Sequence, residues 1–245
     1  MSTLTVAHSE WIKMRSLRST VGCLVAVFLA TVGFSALVCA LVKQSEVESP
    51  DFDPLELAFY GLTFGQVAAI SFGTLLLSQE FHNSGLRVTL SSVPRRGVLY
   101  AGKMAMIGTV VLAVGLLSGL ASFLLGQALI GDAGITISET GALRAVAGSG
   151  SYLALMSLFA AGLTALLRSA VAVLSVLIPL LLLVPFIFTD FASGVMSYLP
   201  NRAGQTLIRQ IPDGLIGPWA GLGVTALWTG AALLAGWFAI NRRDA

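Results

Sequence analysis

The sequence predicts an all-α integral membrane protein with six transmembrane helices, and three observations carry that prediction. Of 245 residues, 56% are hydrophobic and only 11% charged, with a mean hydropathy of +0.88. A soluble domain carries about 25% charged residues, so most of this surface is built to face lipid. Six apolar segments stand out, at about 20–42, 58–77, 104–130, 145–167, 170–189 and 217–240. Each meets or approaches the ~20 residues that cross a ~30 Å hydrocarbon core. The cations, finally, fall unevenly on the connecting pieces.

The first segment follows Lys13, Arg15 and Arg18, as a secretory signal would. Its apolar run is longer than the about 7–15 residues of a cleaved signal, so it is expected to stay in the membrane. Ahead of it, 10–20 carries Trp11, Ile12, Met14 and Leu17 among Lys13, Arg15 and Arg18. At helical spacing this is an amphipathic helix in the membrane interface, with Trp11 as anchor and the cations toward anionic headgroups. The plainer reading is a charged flank of the first span. Cys23 and Cys39 both lie in that span. On one helix they are about 24 Å apart, too far for a disulfide, and they read as small apolar fillers. The fourth and fifth segments are parted only by Arg168 and Ser169. Together they are too long for one crossing, so Arg168 marks an interfacial turn.

Orientation follows from Lys and Arg. With the N-terminus in the cytoplasm, the inner pieces hold Lys13, Arg15, Arg18, Arg87, Arg95, Arg96, Lys103, Arg168, Arg242 and Arg243, and the outer pieces hold Lys43, Arg144, Arg202 and Arg209. Ten against four places both termini inside. Arg outnumbers Lys eleven to three, which hints at a bacterial source. The net charge of +2 gives no reason to expect a nucleic-acid partner. The inner loop 78–103 and the outer segment 190–216 are each too short to bury a core, leaving 1–245 as one transmembrane domain.

No ionisable residue lies well inside any of the six segments as drawn. Such residues mark proton relays and ion sites, so energy for uphill transport is expected to enter from outside the bilayer. The two histidines, His8 and His82, lie on flanks, and no metal-binding motif is present, which argues against an enzyme and against a bound cofactor or metal. Gly97 to Lys103 matches GxxxxGK, the start of a phosphate-binding loop, but Met104 stands where Ser or Thr would hold magnesium. It reads as a decoy, with Lys103 an inner-leaflet anchor. Gly61/Gly65, Gly115/Gly119 and Gly217/Gly221 have the spacing that lets helices approach closely and read as packing sites.

The loop between spans two and three contains Glu80, Phe81, Gly85, Leu86, Arg87, Leu90, Pro94, Arg95, Arg96 and, at the start of the third span, Lys103. An acidic residue, Gly-x-Arg-x-x-Leu, a Pro with basic residues and then Lys resembles the permease of the ABC type-2 exporter superfamily. Ser9 to Ser16 at the start, and Gly236-Trp237 with Arg242-Arg243-Asp244 at the end, resemble it too. The resemblance implies a permease subunit that pairs with a second copy or a similar permease and binds two separate ATPase subunits. ATP and Mg would be bound by those partners, and this chain would hold none. It also implies that the loop forms a short cytoplasmic coupling helix seated in the ATPase. Phe81, Leu86, Val88 and Leu90 would give it apolar contacts, and Glu80 and Arg87 would share a side. The alternative is that the arginines only enforce topology. The segment after span five would form short re-entrant helices capping the outer side. Phe186, Phe188 and Phe191 would line an apolar exit or else face lipid.

The functional expectation is the membrane permease of an ATP-driven exporter in a bacterial cytoplasmic membrane. It would move an amphiphilic or hydrophobic cargo (a drug, a peptide antibiotic or a lipid) by alternating access. With no fused ATPase or large extracellular domain, it reads as a simple half-size permease. The rivals are a non-transporting membrane scaffold or sensor and an intramembrane lipid enzyme.

Overall fold

The computed structural model describes residues 18–42, 48–49, 52–81, 96–139, 141–187, 194, 197–209 and 217–242. Among them every regular element is helical. A long helix α1 (Arg18–Leu41) is followed by a short α2 (Pro54–Ala58) and then α3 (Leu62–Ser78). Next come α4 (Arg96–Ile130), α5 (Ala142–Leu167) and α6 (Ala170–Ile187). A short α7 (Pro200–Gln205) and the closing α8 (Pro218–Arg242) complete the order. Single 3₁₀ turns extend α3 to Phe81, α4 to Ala133 and α7 to Ile208.

Five of these helices are long and apolar enough to cross a bilayer: α1, α3, α4, α5 and α8. The apolar stretch of α6 counted over 170–183 is shorter than that. Large apolar side chains cover the outside, among them Val171 (78% exposed) and Leu227 (75%). In water such a surface would aggregate; in lipid it needs no cover. Several serine and threonine hydroxyls inside the spans bond back to the carbonyl one turn earlier, as Thr31 does to Val27 (2.7 Å) and Thr164 to Ala160 (2.7 Å), whereas those of Thr74, Ser122 and Ser157 are buried without a partner. A hydroxyl in hydrocarbon must find such a partner or carry a desolvation cost.

Close helix contacts sit at five of the six glycines that the spacing marked; the exception is Gly217, which has nothing within 4 Å of where a Cβ would stand. A Cβ on Gly61 would fall 2.0 Å from the Thr31 carbonyl oxygen, and one on Gly65 would fall 2.0 Å from the Thr31 hydroxyl. The Gly61 amide also donates to Ser35 Oγ (3.0 Å), fastening α1 to the start of α3. Gly115 and Gly119 of α4 meet Gly150 and Ser149 of α5 in the same way, and Gly221 of α8 meets the Ala203 carbonyl of α7. Cys39 is buried beside Gly126 and Cys23 is half-buried; both are free thiols, as expected of fillers.

Two boundaries differ from expectation. Helix α4 begins at Arg96, not near Met104, so Lys103 lies two turns inside a helix and is 6% exposed. It is therefore no headgroup-facing anchor, and the span is not free of ionisable groups at this end. The GxxxxGK stretch is helical throughout and forms no phosphate loop. The second segment, expected to open at Ala58, is broken: Asp53 caps α2 by accepting from the amides of Leu55 (2.9 Å) and Glu56 (3.1 Å), and α3 starts four residues after α2 ends. The fourth and fifth segments part at Arg168, as expected. Its φ of 53° is left-handed, the one such non-glycine among the described residues, and at about 1–2 kcal/mol this conformation is costly enough to need outside support.

Contacts sort the bundle into two ends. The proximal end holds the start of α1, the end of α3, the start of α4, the α5–α6 corner and the end of α8. The distal end holds α2, the end of α4, the start of α5, and α7 with its 3₁₀ extension.

Candidate functional site

At the proximal end, Glu80 and Phe81 sit in the 3₁₀ turn that closes α3, where the chain leaves toward 82–95. Lys103, on α4, reaches across and its ammonium pairs with the Glu80 carboxylate. Both side chains are largely buried, at 8% and 17% exposed. Charges so placed attract far more strongly than in water, and this attraction offsets the cost of desolvating them only while both are present.

Phe81 lies half-buried against the core. The Arg168 guanidinium sits over its ring, 5.8 Å from the centroid. Cation–π contacts of this kind contribute about 0.5–1 kcal/mol, more when desolvated, and help hold Arg168 in its left-handed corner. The α5–α6 turn is thereby tied to the end of α3. On the opposite flank, Tyr100 of α4 donates to the Leu233 carbonyl of α8 (3.1 Å), and the Trp237 indole nitrogen lies 3.1 Å from where a Cβ on Gly97 would stand. Five helices thus converge on the two points between which 82–95 must run.

The sequence-identified residues distribute unevenly. Glu80 and Phe81 belong to this clasp. Gly85, Leu86, Arg87, Leu90, Pro94 and Arg95 lie outside the described residues, so a coupling helix there has no structural description. Trp11, Lys13 and Arg15 of the interfacial helix also lie outside them, and Arg18 is described only as the backbone that opens α1. Phe188 and Phe191 fall outside as well, and Phe186 is described only as backbone of α6. Sequence reasoning missed the pairing of Lys103 with Glu80, which lie 23 residues apart. It also missed that Arg168 does more than turn the chain.

A second polar feature was missed altogether. Gln66 on α3 and Tyr152 on α5 are both fully buried, and the Tyr152 hydroxyl donates to Gln66 Oε1. The signal was present: Gln66 is an amide in the middle of an apolar run, and such groups in a membrane need a partner on another helix. Among the described residues no three His, Cys, Asp or Glu side chains converge as a metal site would need. No protein-family model matches the chain, and no curated protein matches it.

Proposed function

We propose that the chain is the membrane permease subunit of an ATP-driven exporter of the ABC type-2 kind. The observation that carries the reading is the proximal clasp. A connection that passes a displacement from a soluble motor to a bundle must have rigid roots. Here both roots of 82–95 are fixed, one by Glu80 and Phe81 and the other by Lys103. The loop motif running from Glu80 to Lys103 supports the same reading.

In this account α6 is the sixth span, and the ten-to-four cation bias puts the proximal end and both termini in the cytoplasm of a bacterium. Two permeases pair, two separate ATPase chains bind ATP and Mg beneath them, and 82–95 docks as the coupling helix. Catalysis is left to the ATPase. The uncharged middle of the bundle suits an amphiphilic or hydrophobic cargo. The test is gentle purification of the tagged chain from its own host, with mass spectrometry of what co-elutes. A near-stoichiometric ATPase that is lost when Glu80 and Arg87 are both replaced by Ala supports the proposal. A chain that elutes alone even after crosslinking sinks it in favour of a scaffold.

A further inference from the structure

Two buried side-chain amides in the bundle are each satisfied at one end and orphaned at the other. Gln66 of α3 accepts through Oε1 from the Tyr152 hydroxyl of α5, while its Nε2 has no hydrogen-bond partner in the protein although the residue is fully buried. Turning this amide over does not help: Nε2 could then donate to the phenol, but Oε1 would be left alone instead. Asn201 of α7, 4% exposed, is the converse case. Its Nδ2 donates to the Leu181 carbonyl of α6 (2.9 Å), and its Oδ1 has no partner. This amide cannot be turned over, because a carbonyl only accepts. The Leu181 carbonyl is itself free for a reason written in the sequence: its donor in a regular helix would be the N–H of Pro185, which proline lacks.

The two orphans belong to one cluster. Gln205 lies one turn on from Asn201, so the two share a face of α7, and the Gln205 side chain reaches the same Tyr152 hydroxyl that Gln66 accepts from. Gly204 beside it rests on the Tyr152 ring, where an added Cβ would stand 2.2 Å away. Gln66, Tyr152, Gln205 and Asn201 thus form an uncharged polar cluster among α3, α5, α6 and α7. A free donor and a free acceptor in contact would bond to each other; these two do not, so a gap separates them. Each orphan in apolar surroundings costs about 1–3 kcal/mol. Buried water relieves such groups, each molecule making about two to four hydrogen bonds. An ion does not fit, because the cluster has no carboxylate and no cation, and the one buried charged side chain among the described residues, Lys103, lies at the proximal end. An apolar ligand would leave both orphans as they are.

We propose that this cluster is a binding site for ordered water, which accepts from Gln66 Nε2 and donates to Asn201 Oδ1. The site takes a small neutral molecule that both donates and accepts a hydrogen bond, and water is the ligand of that kind present at high concentration. Through the Asn201 amide the water also links α3 to the carbonyl that Pro185 leaves free in α6. The site lies within a single copy of the chain and is independent of any ATPase.

Its test is magnetisation transfer from water to side-chain amide protons, measured by rotating-frame Overhauser spectroscopy. The full chain is reconstituted in nanodiscs of deuterated lipid with its Gln and Asn side chains isotope-labelled, and the Gln66 and Asn201 amides are assigned through bonds to their own backbones. In the native chain both amides should receive direct transfer from a long-lived water, with the sign opposite to chemical exchange. Asn201→Leu removes the water's acceptor, so the Gln66 transfer should be lost; Gln66→Leu removes its donor, so the Asn201 transfer should be lost. Melting in detergent shows which variants fold, and the native chain decides the question even if neither does. Three results overturn the site: a native chain in which either amide receives no transfer from water, transfer by chemical exchange alone, or a folded variant in which the remaining amide keeps its transfer at full strength.

Discussion

The two ends of the bundle are closed by different means. At the proximal end, the buried contacts that fasten α3 are of side chain on side chain: Lys103 with Glu80, and Arg168 with Phe81. At the distal end, apart from the half-exposed Arg209–Glu56 pair, side chains hold backbone: Arg144, Asn201, Thr225 and Gln127 all donate to carbonyls of other elements. A charge pair fixes two helices strongly but depends on both members. A carbonyl is always present, so the distal grips depend on geometry, on glycines that let one backbone reach another. The proximal end is thus rigid and sensitive to charge, whereas the distal end is close-fitting and sensitive to volume.

The largest test of this contrast is Gly221→Val. A Cβ there would stand 2.1 Å from the Ala203 carbonyl oxygen, backbone that cannot rotate away. The substitution should lower distal stability by about 3 kcal/mol or dislodge α7, read as a fall of the melting temperature in detergent. Next is Lys103→Met, which leaves the Glu80 carboxylate without its cation in a largely buried site. It should cost about 3 kcal/mol, and adding Glu80→Gln should recover most of that. If the double variant is no more stable than the single one, the clasp is not an ionic device. A smaller loss, about 1 kcal/mol, is expected for Tyr152→Phe, which removes the hydroxyl that meets Gln66; steric trapping or denaturant titration in bicelles would measure it. The smallest effect should come from Arg168→Gly. It relieves the left-handed backbone while losing the contact with Phe81, and contributions of about 1 kcal/mol each nearly cancel. Arg168→Ala loses the contact without the relief and should be visibly worse.

Much of this was legible in the sequence because lipid imposes a simple rule. Apolar runs of sufficient length must be helices, and the ends of α1, α5 and α8 fall within about three residues of the expected ones. Gly61 and Gly65 were legible as packing sites for the same reason. The start of α4 was not. Arg96 and Lys103 made 96–103 read as loop, because a charge normally ends a span, and only a carboxylate from another helix lets it sit inside. Nor was the Gln66–Tyr152 pair legible. Each residue marks itself as out of place, but their meeting joins positions 86 residues apart. The break between α2 and α3 was locally encoded: Asp53 followed by Pro54 is a helix start. For the candidate site, Glu80, Phe81 and Lys103 were found from the loop and its motif, while the pairing of Lys103 with Glu80 and of Arg168 with Phe81 needed the fold.

The central claim is that the clasp holds 82–95 ready for a motor protein. The most direct measurement places a photoreactive amino acid at Leu86 in the full chain, expressed in its own host, and identifies the adduct formed on illumination. The account predicts one dominant adduct, a separate protein that binds and hydrolyses ATP, and a much weaker one when Lys103 is replaced by Met. Adducts with lipid alone, or with the chain itself and nothing that binds ATP, would contradict it.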